Sequence, residues 1–188
     1  MISTLNSAAG RLIVLTVALM LAVPAIAQDY ELGDTVSDFS FNDLNGTPRT
    51  LYEHYGDAIV LNFFATWCPG CNVESASLEN DIWQAYQNDG VTVIAMDMAE
   101  SLAVVQNWYA NQGLTYEVLM LPNYDYFYRF PAAGGLPHNV ILDKNMVLQY
   151  SVQGYDLAGI TDMLNSILGF NPVPTQQETW SGIKALYR

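Results

Sequence analysis

Seven nearly unbroken apolar residues, Ile59-Val60-Leu61-Asn62-Phe63-Phe64-Ala65, run into Thr66-Trp67-Cys68-Pro69-Gly70-Cys71, and these two cysteines are the only ones in 188 residues. A run of this kind reads as a strand buried on both faces. A Cys-x-x-Cys placed just after it, opening a helix, sets the first sulfur over unpaired backbone N–H groups. The partial positive charge there favours an anion, so Cys68 is expected to ionise readily and act as nucleophile. Cys71, one turn deeper, is the expected resolving thiol, and the pair would cycle between dithiol and disulfide.

The first 27 residues contain no acid and one base, Arg11, ahead of an apolar stretch at 12–23 and the sequence Pro24-Ala25-Ile26-Ala27. This pattern is expected to be a secretory signal peptide, since the apolar stretch falls short of the roughly 20 residues that span a bilayer and Ala25-x-Ala27 suits a signal peptidase. An uncleaved membrane anchor, with the domain outside the cytoplasm, is the less favoured alternative. Cleavage after Ala27 would leave 161 residues, enough for one domain. The remaining 5 bases against 19 acids give a net charge of −14, a field that repels phosphate backbones and argues against nucleic-acid binding. Two cysteines so close together close too short a loop to serve as a staple, which leaves chemistry as their use.

The pattern along the chain predicts α/β architecture. Phe39, Phe41 and Leu44 before Asn45-Gly46 predict a hairpin returning over 49–51. A strand at 59–65 precedes a helix from about 71 to 88, with Val73, Ala76, Ile82, Trp83 and Tyr86 as its apolar stripe and Gly90 as its stop. A buried strand at 91–96, a helix over 102–111 capped by Ser101 and closed by Gly113, and a short strand at 116–120 follow. This alternation predicts parallel pairing. An aromatic stretch (Tyr124, Tyr126, Phe127, Tyr128, Phe130) and Gly134-Gly135-Leu136-Pro137 then lead to a hairpin of strands at 139–142 and 146–152 and a terminal helix at 156–168. The expected organisation is a signal peptide at 1–27, one domain at 28–170 and an extension at 171–188 that could hold a short helix at 178–187.

Three separated motifs carry a resemblance: residues 62–71, ending in the cysteine pair; Val93-Ile94-Ala95-Met96-Asp97-Met98-Ala99-Glu100-Ser101; and Gly135-Leu136-Pro137 followed by Val140-Ile141-Leu142-Asp143. Over residues 32–168 the chain resembles the secreted thioredoxin-like proteins of the TlpA/ResA type, within the redoxin or AhpC/TSA-like grouping. The resemblance implies a thioredoxin-like fold, a central mixed sheet flanked by helices with an N-terminal hairpin and an insertion after the active-site helix. It implies a monomeric exported thiol-disulfide oxidoreductase, with no cofactor beyond its own disulfide. It leans towards a reductase fed by a membrane electron donor, acting on exported protein cysteines such as those of apocytochrome c.

Carried over residue by residue, Cys68 is the attacking thiol, Cys71 the resolving thiol and Trp67 the aromatic that shields them. Pro137 resembles the cis-proline facing the sulfurs, with Leu136 offering backbone to an incoming peptide. Plain thioredoxins have a buried aspartate where Asn62 stands, so another base is needed; the resemblance assigns it to Glu100, whose other reading is a charge on the first turn of a helix. The family usually has threonine after the proline, whereas His138 and Asn139 stand here. His138 is a candidate for thiolate stabilisation or substrate orientation, and His54 reads as a surface residue.

Other chemistries fit less well. Zinc would need two more ligands at metal-like spacing, and haem attachment would need histidine where Asn72 stands. A peroxiredoxin-like thiol peroxidase would want an arginine beside the nucleophile, and Ala65-Thr66-Trp67-Cys68 has none close by. A client-binding protein with incidental thiols is the reading from outside enzymology.

Overall fold

Seven strands make one sheet in the computed structural model, which describes residues 30–170. The expected signal peptide and the extension at 171–188 lie outside the described residues. The hairpin is β1 (Ser40–Asp43) and β2 (Pro48–Thr50), followed by a 3-10 turn at Leu51–His54. β3 (Ala58–Phe64) leads into α1 (Pro69–Ser77), which continues through a π-helical stretch, Leu78–Trp83, into a last α turn, Gln84–Tyr86. β4 (Val91–Asp97), α2 (Leu102–Gln112) and β5 (Glu117–Met120) follow, then a 3-10 turn at Phe127–Arg129. β6 (His138–Leu142), β7 (Leu148–Gln153) and α3 (Leu157–Leu168) close the domain.

The strand order is β2-β1-β5-β4-β3-β6-β7. β3, β4 and β5 are parallel, while β1, β6 and β7 pair antiparallel with their neighbours, so the sheet is mixed as expected. Every residue of β3 and β4 is buried, the condition for a near-continuous apolar strand, and each Val, Leu, Ile, Phe or Met side chain among them contributes on the order of 1.5–3 kcal/mol. One face of β3, carrying Asn62 and Phe64, meets the helices: Phe64 stacks on Trp108 of α2 at 4.6 Å, Asn62 bonds to Glu74 of α1, and Tyr86 reaches Asn165 of α3. The opposite face is covered by rings. Phe63 packs against Phe127 and Phe130, while Tyr126 sits edge-on to Phe39 and Phe41 from the hairpin.

Three local expectations are corrected. Of the stripe expected on α1, Ile82 is buried and Trp83 and Tyr86 pack partly against the core, but Val73 and Ala76 are exposed; the first turns bury Cys71, Glu74, Ser75 and Leu78 instead, because the cysteine turn fixes which way the helix faces. Ser101 occupies the N-cap of α2 with extended backbone but makes no side-chain cap bond. His54 is largely buried rather than a surface residue: its Nε2 lies 2.9 Å from Glu117, and Arg49 reaches the same carboxylate at 3.3 Å, tying the hairpin to β5. Gly90, at φ +84, ends the helical run as the sequence suggests.

Candidate active site

Cys68 is the N-cap residue of α1, with extended backbone, and its Sγ accepts the Cys71 N–H at 3.2 Å. Pro69 takes the first helical position, where its missing N–H costs nothing. The sulfur therefore sits where the helix offers unpaired donors, which stabilises a thiolate. Here the pair is oxidised, Cys68–Cys71, with Cα atoms 5.3 Å apart. Both cysteines are nearly buried, and Cys68 lines the cleft described below.

The loop before the pair is held from two sides. Asn72 donates from Nδ2 to the carbonyls of Thr66 (3.1 Å) and Cys68 (3.0 Å), while its Oδ1 accepts from Trp108 Nε1 at 2.5 Å. Glu100 accepts the Thr66 N–H at 2.6 Å and the Thr66 hydroxyl at 2.7 Å. Both oxygens of Glu100 are thus engaged by the loop ahead of Cys68. Beside it, fully buried Asp97 is pushed up to about 7, chiefly by burial, and the neighbouring Glu100 charge adds to the rise.

The carboxyl group on the buried helix face with Cys71 is Glu74, one turn further along. It is completely buried. Asn62 donates to its Oε2 at 2.9 Å and Asn139 to its Oε1 at 2.5 Å, while Asn62 also donates to Asn139 Oδ1 at 2.9 Å. Asn62 and Asn139 are direct partners across β3 and β6, so sheet register places both amides under α1. Burial raises the Glu74 carboxyl to about 7 against the two amide bonds, which favour its ionised form. Sequence reasoning missed Glu74, although the spacing Cys71-x-x-Glu74 already put it on the face of the second thiol.

His138 requires a correction. It pairs in register with Phe63, so it points to the sheet face opposite Asn62, Asn139 and α1. The ring is fully buried between Phe63 and Phe127, its Nε2 lies 3.0 Å from Ser151 Oγ, and burial lowers it to about 4. A buried, neutral imidazole neither touches a substrate nor supplies charge to a thiolate.

The Leu136–Pro137 peptide bond is cis. The proline lies directly over the cysteine turn: a Cβ added to Gly70 would stand 3.1 Å from Pro137 Cδ, so the absent side chain permits the approach. In front of Cys68 lies a cleft of about 450 Å³, lined by Trp67, Met98, Tyr124, Tyr128, Leu136 and their neighbours. Trp67 and Leu136 thus line the same cleft as Cys68. Among the described residues no three His, Cys, Asp or Glu side chains converge as metal ligands would, and no helix is long and apolar enough to cross a membrane.

Comparison with known proteins agrees with this geometry. The model of the AhpC/TSA family matches residues 32–151. The thiol-disulfide oxidoreductase ResA of Geobacillus thermodenitrificans is 28% identical over 155 residues, covering 77% of this chain and 88% of its own. Among solved structures, a thiol:disulfide interchange protein of the thioredoxin family from Chlorobium tepidum aligns with a TM-score of 0.64 at 24% identity, over 74% of this chain and 99% of its own. The peroxidoxin BcpB of Mycobacterium tuberculosis aligns at 0.62 with 19% identity, over 76% and 99%. At these identities the two structures establish the thioredoxin-like fold.

Proposed function

This chain belongs to the AhpC/TSA family and is a thiol-disulfide oxidoreductase, and we propose that it serves as an exported reductase of protein disulfides, working through Cys68 and Cys71. The observation that carries the reading is Cys68 Sγ at the helix N-cap, accepting the Cys71 N–H and bordering an open cleft. In the reduced protein the Cys68 thiolate attacks one sulfur of a substrate disulfide. A Cys68–substrate disulfide forms, and the substrate's other sulfur leaves as a thiolate. Cys71, once deprotonated, attacks Cys68, forms the intramolecular disulfide and releases the second substrate thiol. Two electrons pass to the substrate.

Glu74 is the group we assign to the Cys71 proton. A carboxyl poised near neutrality takes a proton at working pH and returns it, whereas a surface carboxylate is too weak a base. Glu100 acts as a positioning residue that holds Thr66 and so the turn carrying Cys68. The backbone of residues 134–136 makes no hydrogen bond to other backbone among the described residues, which leaves it open to pair with a substrate strand. No arginine lines the cleft at Cys68, which favours disulfide exchange over peroxide reduction. Export, a membrane electron donor and apocytochrome c among the clients follow from the TlpA/ResA resemblance.

Insulin reduction with dithiothreitol tests the reading. The wild type should accelerate it and Cys68→Ser should be inactive, while Cys71→Ser should accumulate mixed disulfides on Cys68. Adducts found on Cys71 of the wild type would reverse the roles. The direction is tested by the reduction potential: a reductase should lie nearer the about −270 mV of thioredoxin, and a value near the about −120 mV of a strong oxidant would overturn that part.

A further inference from the structure

The cleft in front of Cys68 is more aromatic, and more open, than sulfur chemistry alone requires. Trp67, Tyr124 and Tyr128 are 67, 46 and 57% exposed. Their chain neighbours Tyr126, Phe127 and Phe130 are buried and already satisfy the core beneath β3. The Tyr128 N–H donates to the Tyr124 carbonyl at 3.3 Å, so the two exposed tyrosines stand one helical turn apart on one side of the segment. Both line the same cleft of about 450 Å³ as Cys68 and Leu136. No charged side chain lines it, in a chain with 19 acids and 6 bases.

Exposed aromatic rings gathered on one wall gain free energy when another apolar surface covers them. Because the wall is continuous with the reacting sulfur, the occupant is the polypeptide that brings the target cysteine. We propose that this cleft reads the residue next to the substrate's reactive cysteine, selecting an aromatic or large aliphatic side chain and rejecting an acidic one, with Tyr124 and Tyr128 as specificity-determining residues. An aspartate there would lose its hydration without gaining a partner and would meet the field of a chain with net charge −13. The inference rests on the exchange reading above and adds the substrate class.

The test uses symmetric peptide disulfides in which the residue before cysteine is Phe, Leu, Ser or Asp. Second-order rates of oxidation of the reduced protein are each divided by the same protein's rate with hydroxyethyl disulfide. The wild type should prefer Phe and Leu over Ser by about tenfold or more, the discrimination an apolar pocket supplies, with Asp slowest. In Tyr124→Ser/Tyr128→Ser the Phe-to-Ser ratio should fall below about threefold. A flat series in the wild type, or a ratio unchanged in the double variant, overturns the proposal. Failure of the wild type to react even with hydroxyethyl disulfide would overturn the exchange reading itself, and this proposal with it.

Discussion

Glu74 stands on the helix that carries Cys71 and Glu100 holds the residue two before Cys68, and the surroundings of the two carboxyl groups differ in each respect that sets their chemistry. Glu74 is sealed under α1, faces two asparagine amides and is lifted to about 7 by burial. Glu100 is half-buried in the loop between β4 and α2, and both its oxygens are held by the N–H and hydroxyl of Thr66. The first arrangement keeps a proton exchangeable near neutral pH; the second spends the charge on fixing backbone. Proximity to a reactive thiol does not by itself make a general base. Solvent exclusion, with donors that permit ionisation without enforcing it, does.

Glu74→Gln should break this comparison most visibly. It preserves shape and keeps one of the two asparagine bonds, since its amide nitrogen cannot accept the other, but it cannot take a proton, so the rate of disulfide exchange near pH 7.5 should fall by about 10²-fold, and the inflection near pH 7 should vanish from its pH profile. Stopped-flow reduction of a peptide disulfide checks both. Stability follows with a definite sign. A carboxyl whose folded pKa lies above its unfolded value binds more protons when folded, so its contribution is full below about 4.5 and is lost as pH rises through about 7. The loss attributable to Glu74 is roughly 3 kcal/mol, and the glutamine variant does not suffer it. Urea unfolding should therefore find Glu74→Gln gaining on the wild type between pH 4.5 and 8.

Asn139→Ala sharpens the contrast from the other direction. Removing the donor to Oε1 withdraws support from the ionised carboxyl, so the exchange inflection should move above 7 while the residue that titrates stays the same. The variant should lose about 1–3 kcal/mol at pH 8, where Glu74 is charged, and less at pH 5. An inflection that moves down instead would mean that Asn139 restrains ionisation rather than aiding it.

Much of this was legible in the sequence because the signals were local. The unbroken run of β3, the Asn45-Gly46 hairpin and the glycine stops each carry their own turn or burial chemistry, and the two cysteines define the helix start without any neighbour. The placements of His138 and Glu74 depended instead on parity and rotation. His138 stands beside Pro137 in sequence, yet one residue of β6 separates it from Asn139 and turns it to the other face of the sheet. Glu74 was obscured because a charged residue on a helix is ordinarily solvent-facing, and only the anchoring of α1 through Cys71 turns it inward while Val73 turns out. Glu100 lay in the right region, but its bonds to Thr66 come from how the loop after β4 folds back, with Ala99 at φ +61, which no periodicity encodes.

The smallest effect belongs to Glu100→Gln, and it separates the two carboxylates most cleanly. The amide oxygen still accepts from the Thr66 N–H, and the Thr66 hydroxyl can turn to accept from the new amide nitrogen, so the loop should hold at a cost of about 1 kcal/mol. What disappears is a negative charge beside Asp97, whose carboxyl is lifted to about 7 chiefly by burial and in part by the Glu100 charge. Carboxyl-detected NMR titration should therefore find Asp97 lower in the variant, while the exchange inflection assigned to Glu74 stays where it was. Should the inflection vanish in Glu100→Gln and survive in Glu74→Gln, the proton acceptor would be the half-buried loop carboxylate, and the sealed one would be a structural charge clamped by two amides.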